Sequence, residues 1–187
     1  MRAFLQDTLT TLILAAVIFF GLKATVEHSV VVSPSMEPSI PVGQHLFINK
    51  IVYNFHEPER GDIALFHPPH NKQYDFIKRI IGLPGESVEI KEGIVYIHKE
   101  DGNVLPLDEP YITDPARYPF KGDILPENAY FVLGDNRNNS GDSRDGWTVP
   151  RQNIIGKAWL SIWPPAKWGL AANYPLQKQI DSSMNSK

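Results

Sequence analysis

The chain has no cysteine among its 187 residues. That absence excludes disulfides, thiolate metal sites and a thiol nucleophile, and leaves the redox compartment open. It also lacks an excess of basic charge, with 18 Lys and Arg against 21 Asp and Glu and a formal net charge of -3. Without a basic footprint, nucleic acid is not expected as a partner. After residue 26 no stretch of a dozen residues has the period of an amphipathic helix, so helices are not expected to build the core. Gly82-Leu83-Pro84-Gly85-Glu86 has neither the spacing nor the Lys-Ser/Thr pair of a phosphate loop. His67 and His70 lack a third ligand, and Trp147 stands where a calcium loop starting at Asn136 needs a bidentate acid. No cofactor and no metal are therefore expected. Arg60-Gly61-Asp62 reads as a turn leading into Ile63-Ala64-Leu65-Phe66 and not as an adhesion tripeptide.

What is present begins with an apolar run over residues 8–26, which as a helix extends about 28 Å, enough for one membrane span. Lys23 lies near its end, where an ammonium reaches the headgroups. A cleaved signal peptide is the rival reading, with Arg2 as its basic start. No small-x-small pair lies between Gly21 and Val31, which favours an uncleaved anchor. Basic residues on both sides leave the orientation undetermined by charge. Residues 26–35 reach at most about 30 Å, so whatever Ser35 does happens close to the bilayer surface.

The rest, 42% hydrophobic and 21% charged over the whole chain, describes one globular domain. Short segments rich in Val, Ile, Phe and Tyr, punctuated by turn residues, predict strands over 42–49, 62–66, 75–81, 87–90, 94–98, 130–133 and 154–162. Glu92-Gly93 predicts a tight hairpin between two of them. The expected fold is mostly β, with barrel-like or sandwich packing and one N-terminal transmembrane helix. The division is a tail and anchor over 1–28, a β domain over 29–165 and a flexible tail over 166–187. A proline-dotted excursion occupies 98–128. Trp147, Trp159, Trp163 and Trp168 are read as core residues, with a membrane-interface belt as the alternative.

Three segments carry chemistry. Ser33-Pro34-Ser35-Met36-Glu37-Pro38 sets two hydroxyls two residues apart between prolines, and Ser35 is the candidate nucleophile. A serine hydroxyl needs a base, and Lys78 supplies one. In Asp75-Phe76-Ile77-Lys78-Arg79-Ile80-Ile81-Gly82, period-2 alternation puts Lys78 on one face with Phe76 and Ile80. Desolvation there lowers a lysine pKa toward the range a general base requires. The third segment is the polar run Gly134-Asp135-Asn136-Arg137-Asn138-Asn139-Ser140-Gly141-Asp142-Ser143-Arg144, which follows an apolar strand.

In this order and with these spacings, the three segments resemble the type I signal peptidase (leader peptidase) family. The resemblance implies a Ser/Lys dyad protease with a signal-peptidase-like β catalytic domain, anchored in the cell membrane by a single pass with that domain on the extracytoplasmic side. Its substrates would be exported preproteins with small-x-small cleavage sites, and its other partner the lipid bilayer. Ser35 then matches the nucleophile and Lys78 the general base. Ser33 matches the hydroxyl that completes the oxyanion hole with the Ser35 N–H. Ser140 matches a serine that orients the lysine amine, and Asp142 and Arg144 the supporting ion pair. Val31, Met36, Asp75 and Ile77 lie where family members line the substrate groove. Two departures stand out: Glu86 where many relatives have Asp, and one apparent span where some have two. The alternatives are a self-cleaving Ser/Lys regulatory protease and a non-catalytic membrane-tethered β module that binds a partner.

Overall fold

The computed structural model describes residues 1–70 and 73–184. Helix α1, Arg2–Thr25, is apolar on all sides. Leu12, Ile13, Val17, Phe19 and Phe20 each leave more than half of their surface uncovered. Its threonines add little polarity, because the hydroxyls of Thr8, Thr10 and Thr11 donate back to carbonyls four residues earlier. The 20 residues Gln6–Thr25 form a candidate membrane span by length and composition, extending about 30 Å. A helix apolar all round with no protein against it needs a lipid-like surrounding.

The helix passes directly into strand β1, Val26–Val30. Val26 turns to extended geometry (φ -127°, ψ 137°), and the Lys50 N–H donates to Thr25 O at 2.9 Å. Half of the segment 26–35, for which the sequence reading sets only a maximum reach, is thus strand.

The remaining strands are β2 (His45–Asn49), β3 (Ile63–Phe66), β4 (Phe76–Gly82), β5 (Ser87–Lys91), β6 (Ile94–His98), β7 (Val104–Pro106), β8 (Phe120–Lys121), β9 (Ala129–Leu133), β10 (Val149–Pro150), β11 (Ile154–Trp163) and β12 (Gly169–Leu170). The larger sheet has the order β1-β2-β11-β3-β4-β9-β10, with β12 paired to β11. The smaller sheet has the order β7-β6-β5-β8. All pairings are antiparallel, as expected where short turns join successive strands. The β5–β6 hairpin turns on Glu92 (φ 53°) and Gly93 (φ 79°), the two left-handed residues that a tight hairpin of matching twist requires.

Strand β4 lies inside the larger sheet between β3 and β9, with the registers Ala64↔Lys78 and Arg79↔Leu133. Its alternation is as read from the sequence. Phe76 and Ile80 face one apolar cluster with Phe66, Tyr130 and Val132. On the other face Ile77 packs beside Leu46 and Ile63, and Ile81 beside Val88 and Leu133.

Three sequence readings change. The segment after 165, read as a flexible tail, is docked as far as Ile180. Ala171 enters one core cluster, and Leu176 and Ile180, on α2 (Leu176–Met184), enter another. The Asn173 amide donates to Ala158 O and its Oδ1 accepts from the Ile63 N–H. Residues 185–187 lie outside the described residues. The excursion after 98 is equally tied in, contributing β7, β8 and the buried side chains Leu107, Tyr111 and Leu125. Of the four tryptophans read as core, only Trp147 packs against a core cluster. Trp159, Trp163 and Trp168 are 45%, 53% and 68% exposed, and Trp159 shares a groove with Phe19, Leu22 and Val26 at the end of α1.

Candidate active site

Ser35 sits on a one-turn 3-10 helix, Pro34–Met36, whose start the sequence dictates. Pro34 supplies a helical φ at the first position, and Ser33, extended at φ -121° and ψ 143°, is the N-cap. The Ser33 Oγ accepts from the Ser35 N–H at 3.4 Å. The two serines therefore approach each other through a cap, and not because an extended segment puts them on one face. Met36, fully buried, pins the turn to the core, and its carbonyl accepts from the Ile40 N–H.

The polar segment after β9 holds the turn from the other side. The Asn136 N–H donates to Ser35 O at 3.0 Å, and its side-chain amide donates to Pro34 O at 3.2 Å. Gly134 passes so close that a Cβ there would lie 2.4 Å from Ser35 O and 2.2 Å from Ser140 Oγ. Only glycine allows that approach. Asp142 is fully buried, accepts from the Gly134 N–H at 3.1 Å, and caps the short helix Ser143–Asp145. Arg144 donates to both Asp142 oxygens at 2.8 Å, a bidentate pair.

Lys78 brings its Nζ within 2.6 Å of Ser35 Oγ. The side chain is almost wholly enclosed, with Nζ 5.4 Å from the Phe76 ring centroid. Burial pushes the ammonium down to about 8, against the smaller opposing pull of Asp142 and Asp135. At that value a substantial part of the lysine is neutral near physiological pH, and a neutral amine in contact with a hydroxyl can take its proton.

Ser35 and Lys78 open onto a cleft of about 550 Å³. Val31, Asp75 and Ile77, which the sequence reading places at the groove, line it, as do Ser33 and Ser140. Met36 does not, being buried beneath the cleft in the core cluster with Val31 and Ile40. Its thioether supports the nucleophile turn instead of meeting a ligand. The Ser140 Oγ is buried with no hydrogen-bond partner among the described residues, so its expected bond to the Lys78 amine is not formed in this structure.

Several neighbours were not singled out from the sequence. Asn136 and Gly134 hold Ser35, and their signal was only their place in the third polar segment. His67 is another, pairing through Nδ1 at 2.5 Å with Asp75, which the sequence reading already places at the groove. Arg79, next to Lys78 but on the opposite face, makes a bidentate pair with Asp135 at 2.6 and 2.9 Å. Arg60 of the Arg-Gly-Asp tripeptide is buried and donates to Ile81 O and, at 2.7 and 2.8 Å, to Glu86. That placement makes the tripeptide a structural turn and gives Glu86 a role remote from Ser35.

A serine hydroxyl in contact with a desolvated lysine, at the floor of a cleft on a mostly β domain, defines the class of serine hydrolases that use an amine as base. The family model described as signal peptidase, peptidase S26, matches residues 4–163, and the chain belongs to that family. It is 41% identical to the probable signal peptidase I-1 of Synechocystis sp. over 91% of this chain and 89% of that one. It is 42% identical to the signal peptidase I of Leptolyngbya laminosa over 88% of this chain and 83% of that one. A crystal structure of a signal peptidase I from Enterococcus faecalis aligns with a TM-score of 0.47 at 34% identity, covering 54% of this chain and 96% of that one.

Proposed function

We propose that the protein is a membrane-anchored serine endopeptidase that cleaves signal peptides from exported preproteins, with Ser35 as nucleophile and Lys78 as general base. The observation that carries this reading is the 2.6 Å contact between Lys78 Nζ and Ser35 Oγ, in a site where burial lowers the lysine pKa to about 8. Neutral Lys78 takes the Ser35 proton as the oxygen attacks the scissile carbonyl. The ammonium then returns the proton to the departing amine, and a water activated by the same amine releases the acyl group. At rest the Ser35 N–H is occupied only by a long bond to the Ser33 hydroxyl. A substrate carbonyl oxygen entering between them receives both donors, which stabilise the anion as it forms. Asp142 and Arg144 hold the segment that carries Gly134 and Ser140. The unpartnered Ser140 hydroxyl is positioned to orient the lysine amine once substrate closes the site.

The part of the substrate before the cut lies in the cleft beside Val31 and Ile77, whose apolar walls accept small side chains in a small-x-small pattern. The α1 span delivers the domain to the bilayer with no slack, since it runs directly into β1, one wall of the cleft. A signal sequence still in the bilayer reaches the cleft from that side. Trp159, beside the end of α1, faces the same surface, which suits an indole at a lipid interface. The catalytic domain is assigned to the extracytoplasmic side, where exported chains emerge.

The test is direct. Purified full chain in detergent, incubated with a preprotein, should release a product whose new amino terminus follows a small-x-small site, and Ser35→Ala should release none. Equal product from parent and Ser35→Ala would overturn the assignment.

A further inference from the structure

The cleft does not end at Ser140. Beyond it lies a second cavity of about 490 Å³, with Ser140 in the walls of both. This second cavity is built jointly by the excursion, through Arg117, Tyr118 and Phe120, and by the polar segment, through Arg137 and Arg144. The two are fastened together. Asn138 Oδ1 accepts from the Arg117 N–H at 3.0 Å, its amide donates to Pro115 O at 2.9 Å, and Glu109 grips Arg137 at 2.5 and 2.8 Å. Arg137 is fully buried in that pair, and Arg144 is committed to Asp142. Among the described residues the Arg117 guanidinium pairs with Asp114 alone, at 3.1 Å and with both side chains more than half exposed, a pair of little strength that a ligand carboxylate can displace. Tyr118 stands beside it, 82% exposed.

We propose that this second cavity is the subsite for the first residues of the mature chain, those after the scissile bond, and that Arg117 makes it favour an acidic side chain there. The inference rests on the proteolytic reading given above and deepens it. The first cleft is walled in part by Ser29 and Val30 of β1, the direct continuation of α1, so the segment before the cut is taken to enter along β1. A peptide laid across Ser35 in extended form advances about 3.3 Å per residue and must leave past the opposite end. There Ser140, a wall of both cavities, marks the passage from one to the other. Past it the wall presents the loosely held Arg117 guanidinium, the uncovered Tyr118 ring and the Asp145 carboxylate, which accepts from the Asp142 N–H at 3.1 Å. The excursion thereby gains a use, since it supplies half of the surface the product rests on before release.

The test uses purified full chain in detergent and peptides identical up to the cut. Each carries Glu, Gln or Lys at one of the first five positions after it. At one or more positions kcat/KM should fall in the order Glu, Gln, Lys, with about fivefold between the extremes, the scale of one exposed charge pair. The spread should shrink in high salt. Arg117→Glu should reverse the order at that same position, and because the result is a ratio within one enzyme, a general loss of folded protein does not imitate it. Cleavage indifferent to charge at all five positions, or a preference that survives Arg117→Glu, overturns the subsite alone. Peptides left uncut by the parent overturn the proteolytic reading and the subsite with it.

Discussion

Lys78 and Arg79 are adjacent on β4, both basic and both buried, yet they lie on opposite faces of the strand in opposite electrostatic settings. The Arg79 guanidinium has Asp135 bidentate, the carbonyls of Gly61 and Ala172 at 2.8 and 2.9 Å, and the Tyr111 ring 4.0 Å from its carbon. Burial opposes its charge, but the hydrogen bonds and charge of Asp135 outweigh that and hold its pKa above the ordinary value. Among the described residues Lys78 has one hydroxyl and no carboxylate in contact, so for it burial prevails. Desolvation is thus common to both faces, and the partner decides whether the cation survives. One face yields a structural cation, the other a base.

Exchange of one cation for another on the reactive face breaks the comparison most severely. Lys78→Arg should lower kcat on the order of 10⁴-fold or more, because a guanidinium stays protonated and cannot accept the Ser35 proton. A variant retaining most of its kcat in a peptide assay would remove Lys78 from the mechanism. On the structural face, Asp135→Ala leaves Arg79 charged and unpaired, and should cost roughly 3–5 kcal/mol of stability in denaturant titration. Near-parent stability would mean that Arg79 does not depend on its partner.

Next to the dyad, Ser33→Ala removes one oxyanion donor and should lower kcat about a hundredfold with KM little changed. Since Ser33 also caps the turn, the melting temperature should drop as well, by the equivalent of about 1 kcal/mol. A lowered melting point with unchanged kcat would reduce Ser33 to a cap.

A further effect on stability has the opposite sign to that of Asp135. Below pH 8 the folded state bears the full cost of a lysine whose pKa lies at about 8 instead of 10.5. The unfolded chain holds more protons in between, so stability rises as pH climbs from about 8 to 10.5. Lys78→Met should therefore match or exceed the parent's stability at pH 7, by up to about 3 kcal/mol, while being inactive. A lower melting temperature at pH 7 would show Lys78 to be a stabilising cation like its neighbour.

The strand that carries both residues was legible because alternation over seven residues, Phe76–Gly82, is long enough to show its period. The strands that escaped notice are β7, β8, β10 and β12, of three residues or fewer, too short for alternation to show. β1 was hidden differently, since it starts at Val26, the last residue of the apolar run read as one helix, and its Glu27-His28-Ser29 centre carries no apolar alternation. Helix α2 buries Leu176 and Ile180 one turn apart, a pattern that nine residues cannot distinguish from chance. At the site, the residue types and their order pointed to Ser35 and Lys78 and, through the resemblance, to Ser140, Asp142 and Arg144, but not to the other groups that hold them. Gly134 matters through a close approach, Glu109 through a pair with Arg137 across 28 positions, and Tyr111 through a ring over Arg79. Each of these depends on how distant segments meet.

The central claim is that burial without a contacting carboxylate makes Lys78 a base near neutral pH. It is tested most directly by kcat/KM of the purified full chain on one peptide across pH 6 to 10, which reports titration of the free enzyme. A rise to a plateau with its midpoint near 8 is predicted, and the midpoint should move lower in Asp142→Asn, because the Asp142 charge favours the ammonium. A profile flat across the range, or one still rising at pH 10 as for an ordinary lysine, would contradict the account.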